Sequence, residues 1–183
     1  MAVKKILTIQ DKKLYQKSSA VKTFDKKLRD NIRDMFDTMY DSFGVGLAGV
    51  QIGLMKRMMV IDLEEAGFIK GSFVNPKVLE VSEEMQDSEE GCLSVPGISV
   101  PLKRPKWVKI SYNDLSGQEK TIEGEKLLAR ALLHEMDHMD GRVFVDLLEP
   151  DIKKQIKKDV DLIKKGKLPL ECKVPDYREK AVI

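Results

Sequence analysis

The chain has 183 residues, 42% of them hydrophobic and 34% charged, with a formal net charge of +2; this suits one domain with a real core and is too apolar for disorder. The opening Met-Ala-Val-Lys-Lys-Ile-Leu-Thr-Ile-Gln breaks its apolar run at Thr8 and Gln10, so no signal peptide or membrane span is expected and the predicted location is cytoplasmic. Two cysteines, Cys92 and Cys172, are too few for a disulfide framework and suit packing, catalysis or metal binding in a reducing compartment.

The first predicted element is an amphipathic helix from about Asp25 to Tyr40, where Leu28, Ile32, Met35, Phe36 and Met39 recur at helical spacing. Gly44 and Gly46 break it. Strand character follows in Met58 to Leu63, in Phe73 to Val81, where Pro76 predicts an edge or a bulge, and in Trp107 to Tyr112. Asn113-Asp114-Leu115-Ser116-Gly117 reads as a turn, and Lys120 to Glu123 returns as an antiparallel strand. A second helix spans about Glu125 to Asp140, with Gly141 as its left-handed stop. On it Leu127, Ala131, His134 and His138 share one stripe, so both imidazoles face the core. A third helix, 151–165, carries Ile152, Ile156, Val160 and Ile163 on one stripe among lysines, and 167–183 reads as a tail. Residues 151–183 hold ten Lys and Arg against six Asp and Glu, whereas residues 1–150 hold 22 against 24. A basic end on a slightly acidic body fits either a polyanion such as ribosomal RNA or a solvated helix face.

The two histidines are the chain's only ones, and both lie in His134-Glu135-Met136-Asp137-His138. Side chains four apart share a helix face, so the pair can grip one metal ion, with Glu135 between them as general base. A catalytic site needs a third ligand and an open position. A histidine six residues after the second is excluded because Phe144 stands there. Asp146 and Glu149 remain as downstream carboxylates. The stronger alternative is Cys92, set among turn-forming residues in Glu89-Glu90-Gly91-Cys92-Leu93-Ser94-Val95-Pro96. A further word, Gly44-Val45-Gly46-Leu47-Ala48-Gly49-Val50-Gln51-Ile52-Gly53, lacks the Lys-Ser/Thr of a phosphate loop and follows a helix. Its small residues suit an extended peptide held by main-chain hydrogen bonds, with Gln51 as an amide donor, or else merely form turns.

In this order, Gly-Val-Gly-Leu-Ala-Gly-Val-Gln, Glu-Gly-Cys-Leu-Ser and His-Glu-Met-Asp-His resemble the signature of the peptide deformylases, with similarity running from the Ile6-Leu7 region to about Leu148. The resemblance implies an α+β fold in which antiparallel strands surround a central metal-bearing helix, with an N-terminal and a C-terminal helix. One catalytic domain, 1–166, would include the basic helix 151–165. It implies that Cys92, His134 and His138 bind the metal and that metal-activated water attacks the formyl carbon of an N-formylmethionyl peptide. Glu135 would move the proton, Gln51 and the Leu93 N–H would stabilise the oxyanion, and formate would leave. Gly46 and Gly91 would contact the substrate backbone, and Val45, Leu127, Arg130 and Ala131 would wall the methionine pocket. Asp137 is expected to pair with Arg104.

This chain departs from the common pattern at Gly49-Val50, Leu133 and Gln10, which bears on loop rigidity and pocket shape. Cys and His also suit several metals; the family is associated with Fe2+, with Ni2+, Co2+ or Zn2+ as substitutes. The expected partners are N-formylmethionyl nascent peptides and, through the basic helix, the ribosome, with neither DNA nor membrane. The rival readings are a metallopeptidase using the same hydrolytic water and a ribosome-binding module with a vestigial site.

Overall fold

A computed structural model describes residues 2–167. Its elements are α1 (Lys26–Asp41), β1 (Gly46–Ala48), β2 (Met58–Asp62), β3 (Lys70–Val81), β4 (Met85–Cys92), β5 (Val95–Pro105), β6 (Trp107–Asn113), β7 (Glu119–Glu125), α2 (Lys126–Met139), a single turn α3 (Phe144–Leu147) and α4 (Pro150–Lys164). Five strands form an antiparallel sheet in the order β1-β2-β3-β6-β7, and β4 pairs with β5 in a separate hairpin. This is the expected α+β arrangement. The predicted tail, apart from Lys167, and with it Cys172, lies outside the described residues.

Helix α1 starts where the Asp25 side chain accepts from the Leu28 N–H at 3.0 Å, which satisfies one of the free donors of its first turn. Its stripe of Leu28, Ile32, Met35 and Met39 is buried with Leu47, Met58 and Val60 of β1 and β2. Helix α2 is more deeply set than a one-stripe reading predicts. Eleven of its fourteen residues are buried, including Leu128, Leu132, Met136 and Met139, while Leu127 is only half-buried. A helix buried on nearly every side is an interior one. Gly141 ends it at φ 75°; a Cβ there would also lie 2.7 Å from the Tyr15 carbonyl oxygen, so glycine serves both the turn and the close approach.

The bulge expected at Pro76 appears as a register shift between Val74 and Lys77. Asn75 takes the left-handed conformation, φ 52°, and its side chain secures the bend by accepting from the Val21 N–H at 2.8 Å and donating to the Val21 carbonyl at 2.9 Å. β3 begins three residues earlier than predicted and is central, since β2 pairs with Lys70–Val74; beyond the bulge only β6 accompanies it. The β4–β5 hairpin was not anticipated, and β1 lies where only breakers and a loop were expected. The Gly49-Val50 variation sits in a segment, 44–51, that is buried throughout. A Cβ on Gly49 would come within 3.0 Å of the Leu54 carbonyl oxygen, so the glycine answers close packing.

Candidate metal centre

β4 delivers Cys92 at its end, against the face of α2 that carries His134 and His138. The three ligand atoms lie within 4.8 Å of one another, and all three residues are buried. Cys92 Sγ is 3.1 Å from His138 Nε2. The two imidazole rings stand 5.0 Å apart at an interplanar angle of 79°. Neither Asp146 nor Glu149 belongs to this cluster among the described residues; the Asp146 carboxylate instead accepts from the Val143 N–H. Phe144, whose identity excluded a third histidine, has its ring 6.2 Å from that of His134.

Behind the histidines lies a buried ionic group. Glu90 is fully buried. Its Oε1 is 2.6 Å from His134 Nδ1 and accepts from Arg104 Nη2 at 2.6 Å. The contact orients the His134 ring through Nδ1 and leaves Nε2 as the nitrogen a metal ion could take. Arg104 reaches Glu90 Oε2 through Nε, and Asp137 through Nη1 at 2.8 Å, so the expected Arg104–Asp137 pair is present. Burial would raise the Glu90 pKa, but Arg104 and His134 outweigh it and hold the carboxyl well below its usual range. Burial likewise depresses His134, yet Glu90 and Cys92 hold it well above an ordinary histidine. His138, which lacks a carboxylate partner, is pushed well below by burial and by His134. Sequence alone does not single out Glu90, because two adjacent glutamates give no sign of which turns inward until strand pairing leaves Glu89 exposed and Glu90 buried.

Glu135 is 1% exposed, and burial pushes its carboxyl up to about 7. Its Oε2 is buried without a hydrogen-bond partner, as is His138 Nδ1. A Cβ on Gly46 would lie 2.5 Å from Glu135 Oε1, so only glycine lets β1 approach this carboxylate. Gln51 is held with its Oε1 accepting from the Ala48 N–H at 2.7 Å and its Nε2 donating to Ser94 Oγ at 3.2 Å, with Nε2 3.6 Å from Cys92 Sγ. The Leu93 side chain packs over Gly44, where a Cβ would meet Leu93 Cδ1 at 2.7 Å. Val45, Gly91 and Ala131 are buried and Leu127 is half-buried. Arg130 is 1% exposed, and its guanidinium donates to Glu90 Oε2 at 2.8 Å and to the Leu102 carbonyl at 2.9 Å.

One thiol and two imidazoles converge, and an unpartnered carboxylate oxygen belongs to the residue between the histidines. This donor set fits a metal ion with an adjacent proton acceptor.

The comparisons agree with the geometry. The polypeptide deformylase family model matches residues 3–154. A peptide deformylase of Brucella suis is 41% identical over 169 residues, covering 91% of this chain and 93% of the relative. A crystal structure of a peptide deformylase from Legionella pneumophila superposes with a TM-score of 0.82 at 41% identity, covering 90% of this chain and 97% of that one. One from Arabidopsis thaliana reaches 0.84 at 33% identity, covering 88% and 91%. The chain belongs to the polypeptide deformylase family.

Proposed function

We propose that the chain removes the formyl group from the N-terminal formylmethionine of new peptides, with Cys92, His134 and His138 holding the metal and Glu135 moving the proton. The observation that carries this reading is the convergence of the Cys92 sulfur and both histidines within 4.8 Å. A metal ion held there by Cys92, His134 and His138 would supply the Lewis acidity that activates water. Glu135, with its carboxyl near 7, is matched to take a proton from water and pass it to the leaving amine. The Gln51 amide, fixed by Ala48 and Ser94, and the Leu93 N–H would stabilise the developing oxyanion; donors fixed in advance in a water-poor site are often among the larger catalytic contributions. Gly46 and Gly91 would hold the peptide backbone, and Val45, Leu127 and Ala131 would wall the methionine pocket. The assay compares formyl-Met-Ala with Met-Ala-Ser. Formate released from the first alone is the expected result, whereas cleavage within the second would make the protein a peptidase.

The metal we assign is Fe2+, with Ni2+, Co2+ or Zn2+ as substitutes. Ferrous iron and a thiolate are both open to oxygen, so enzyme prepared in air should lose activity and regain it with nickel or cobalt. Equal activity of aerobic and anaerobic preparations with only zinc bound would count against iron. We place the protein in the cytoplasm, as one domain spanning 1–166 that meets nascent chains at the ribosome. The support is α4, which buries Ile163 while Lys153, Lys154, Lys157 and Lys158 are exposed, a basic face suited to ribosomal RNA. Replacing Lys154, Lys157 and Lys158 by Glu should weaken co-sedimentation with ribosomes at low salt without lowering turnover of a short peptide; unchanged co-sedimentation would sink the docking idea.

A further inference from the structure

We infer that Arg130 is a positioning residue for the metal ligand His134, acting through Glu90; this rests on the metal-site reading above. The four acceptor positions of the Glu90 carboxylate are filled in pairs. Oε1 takes Arg104 Nη2 and His134 Nδ1, and Oε2 takes Arg104 Nε and Arg130 Nη1. A carboxylate offers about four lone-pair sites, so none is spare. Arg130 occupies the oxygen that faces away from His134 and keeps the other oxygen on the imidazole. It stands one turn before His134 on α2, and its second nitrogen donates to the Leu102 carbonyl on β5. The same fork therefore fixes the hairpin against the helix.

Charge leads to the same conclusion. Glu90 and Asp137 bring two buried negative charges, and Arg104 and Arg130 bring two buried positive ones; Arg142, the remaining partner of Asp137, is 54% exposed. Without Arg130, Glu90 would share one cation with Asp137, its Oε2 would lose a donor, and the Leu102 carbonyl would lose its charged partner. The carboxylate would then be free to turn, and His134 would lose part of its orientation.

The test uses full-length protein and Co2+, with affinity measured by competition against a chromophoric chelator and site geometry by the thiolate-to-cobalt absorption. Removing an outer partner of a ligand costs about 10–100-fold in metal affinity. Arg130 stands one bond behind that partner, so we expect Arg130→Met to fall at the low end of this range, about 10-fold, with an altered cobalt spectrum. Arg130→Lys keeps the cation but cannot fork between Glu90 and Leu102, so it should recover part of the affinity, and it decides the matter should the Met variant fail to fold. Unchanged cobalt affinity with only a lower melting temperature would make Arg130 purely structural and overturn the inference. A raised KM for formyl peptides at unchanged cobalt affinity would return it to the pocket wall, with the same consequence. If the unaltered protein bound no Co2+ through Cys92, the metal-site reading itself would fall, and this inference with it.

Discussion

The carboxyl of Glu135 combines burial, a raised pKa and an oxygen without a partner, so its energetics can be tested apart from catalysis. In metal-free protein its pKa rises from 4.5 to about 7 because burial penalises the ionised form. Stability from the protonated group is fully present below the unfolded value of 4.5 and is lost as pH rises through about 7. Glu135→Gln, neutral at every pH, should match the unaltered protein near pH 4 and exceed it at pH 8 by about 3 kcal/mol, each pKa unit being worth about 1.4 kcal/mol. Urea unfolding of both metal-free proteins at the two pH values measures this, and a pH-independent difference would refute it. The same variant should lose about 10²–10⁴-fold in deformylation rate. At this scale much of the site was legible, because His134, Glu135, His138, Cys92 and Gln51 carry side chains whose chemistry is informative without a fold. Glu90 and the true engagement of Arg130 were not, since each depends on which side of a strand or helix faces a neighbour distant in the chain.

Helices α1 and α2 and the β6–β7 hairpin were readable because local rules govern them: apolar spacing, a glycine stop and a compact Asn-Asp-Leu-Ser-Gly turn. The β4–β5 hairpin was not, because Met-Gln-Asp-Ser-Glu-Glu-Gly-Cys has no apolar alternation and only its last three residues are buried. Its pairing is dictated by what it covers. Pro76 signalled the irregularity in β3, but Asn75 is the residue that absorbs it. A non-glycine residue in the left-handed region costs roughly 1–2 kcal/mol, offset here by the paired hydrogen bonds to Val21. Asn75→Ala should therefore cost about 2 kcal/mol of stability, and Asn75→Gly, which relieves the backbone but loses the bonds, should cost less. Chemical denaturation ranks them; a glycine variant less stable than the alanine variant would show that backbone strain is not the deciding factor.

At the scale of the molecule, the pairing of β3 with β6 skips the whole β4–β5 hairpin, an order that no local pattern in the chain encodes and that a resemblance implying only antiparallel strands around a central helix does not specify. The excursion has a consequence for stability. The hairpin supplies Cys92 and Glu90 while the interior helix supplies His134, His138, Asp137 and Arg130, so a bound metal would add a tie between two elements already joined by the buried ionic group and the apolar core. A ligand that binds only the folded state stabilises it by an amount set by its concentration over its Kd, about 4 kcal/mol at a thousandfold excess. Loading the metal-free protein with Co2+ to that excess should raise its unfolding free energy by about this much. The gain in amide protection should be concentrated around Cys92 in β4 and the middle of α2, because these are the segments that the ligands join. Cys92→Ala should lose most of the gain, since two histidines on one helix no longer bridge it to the hairpin. Hydrogen exchange measured with and without cobalt separates this arrangement from a site confined to α2. Protection that rises only along the helix, with β4 unchanged, would mean that the thiol does not clasp the two elements.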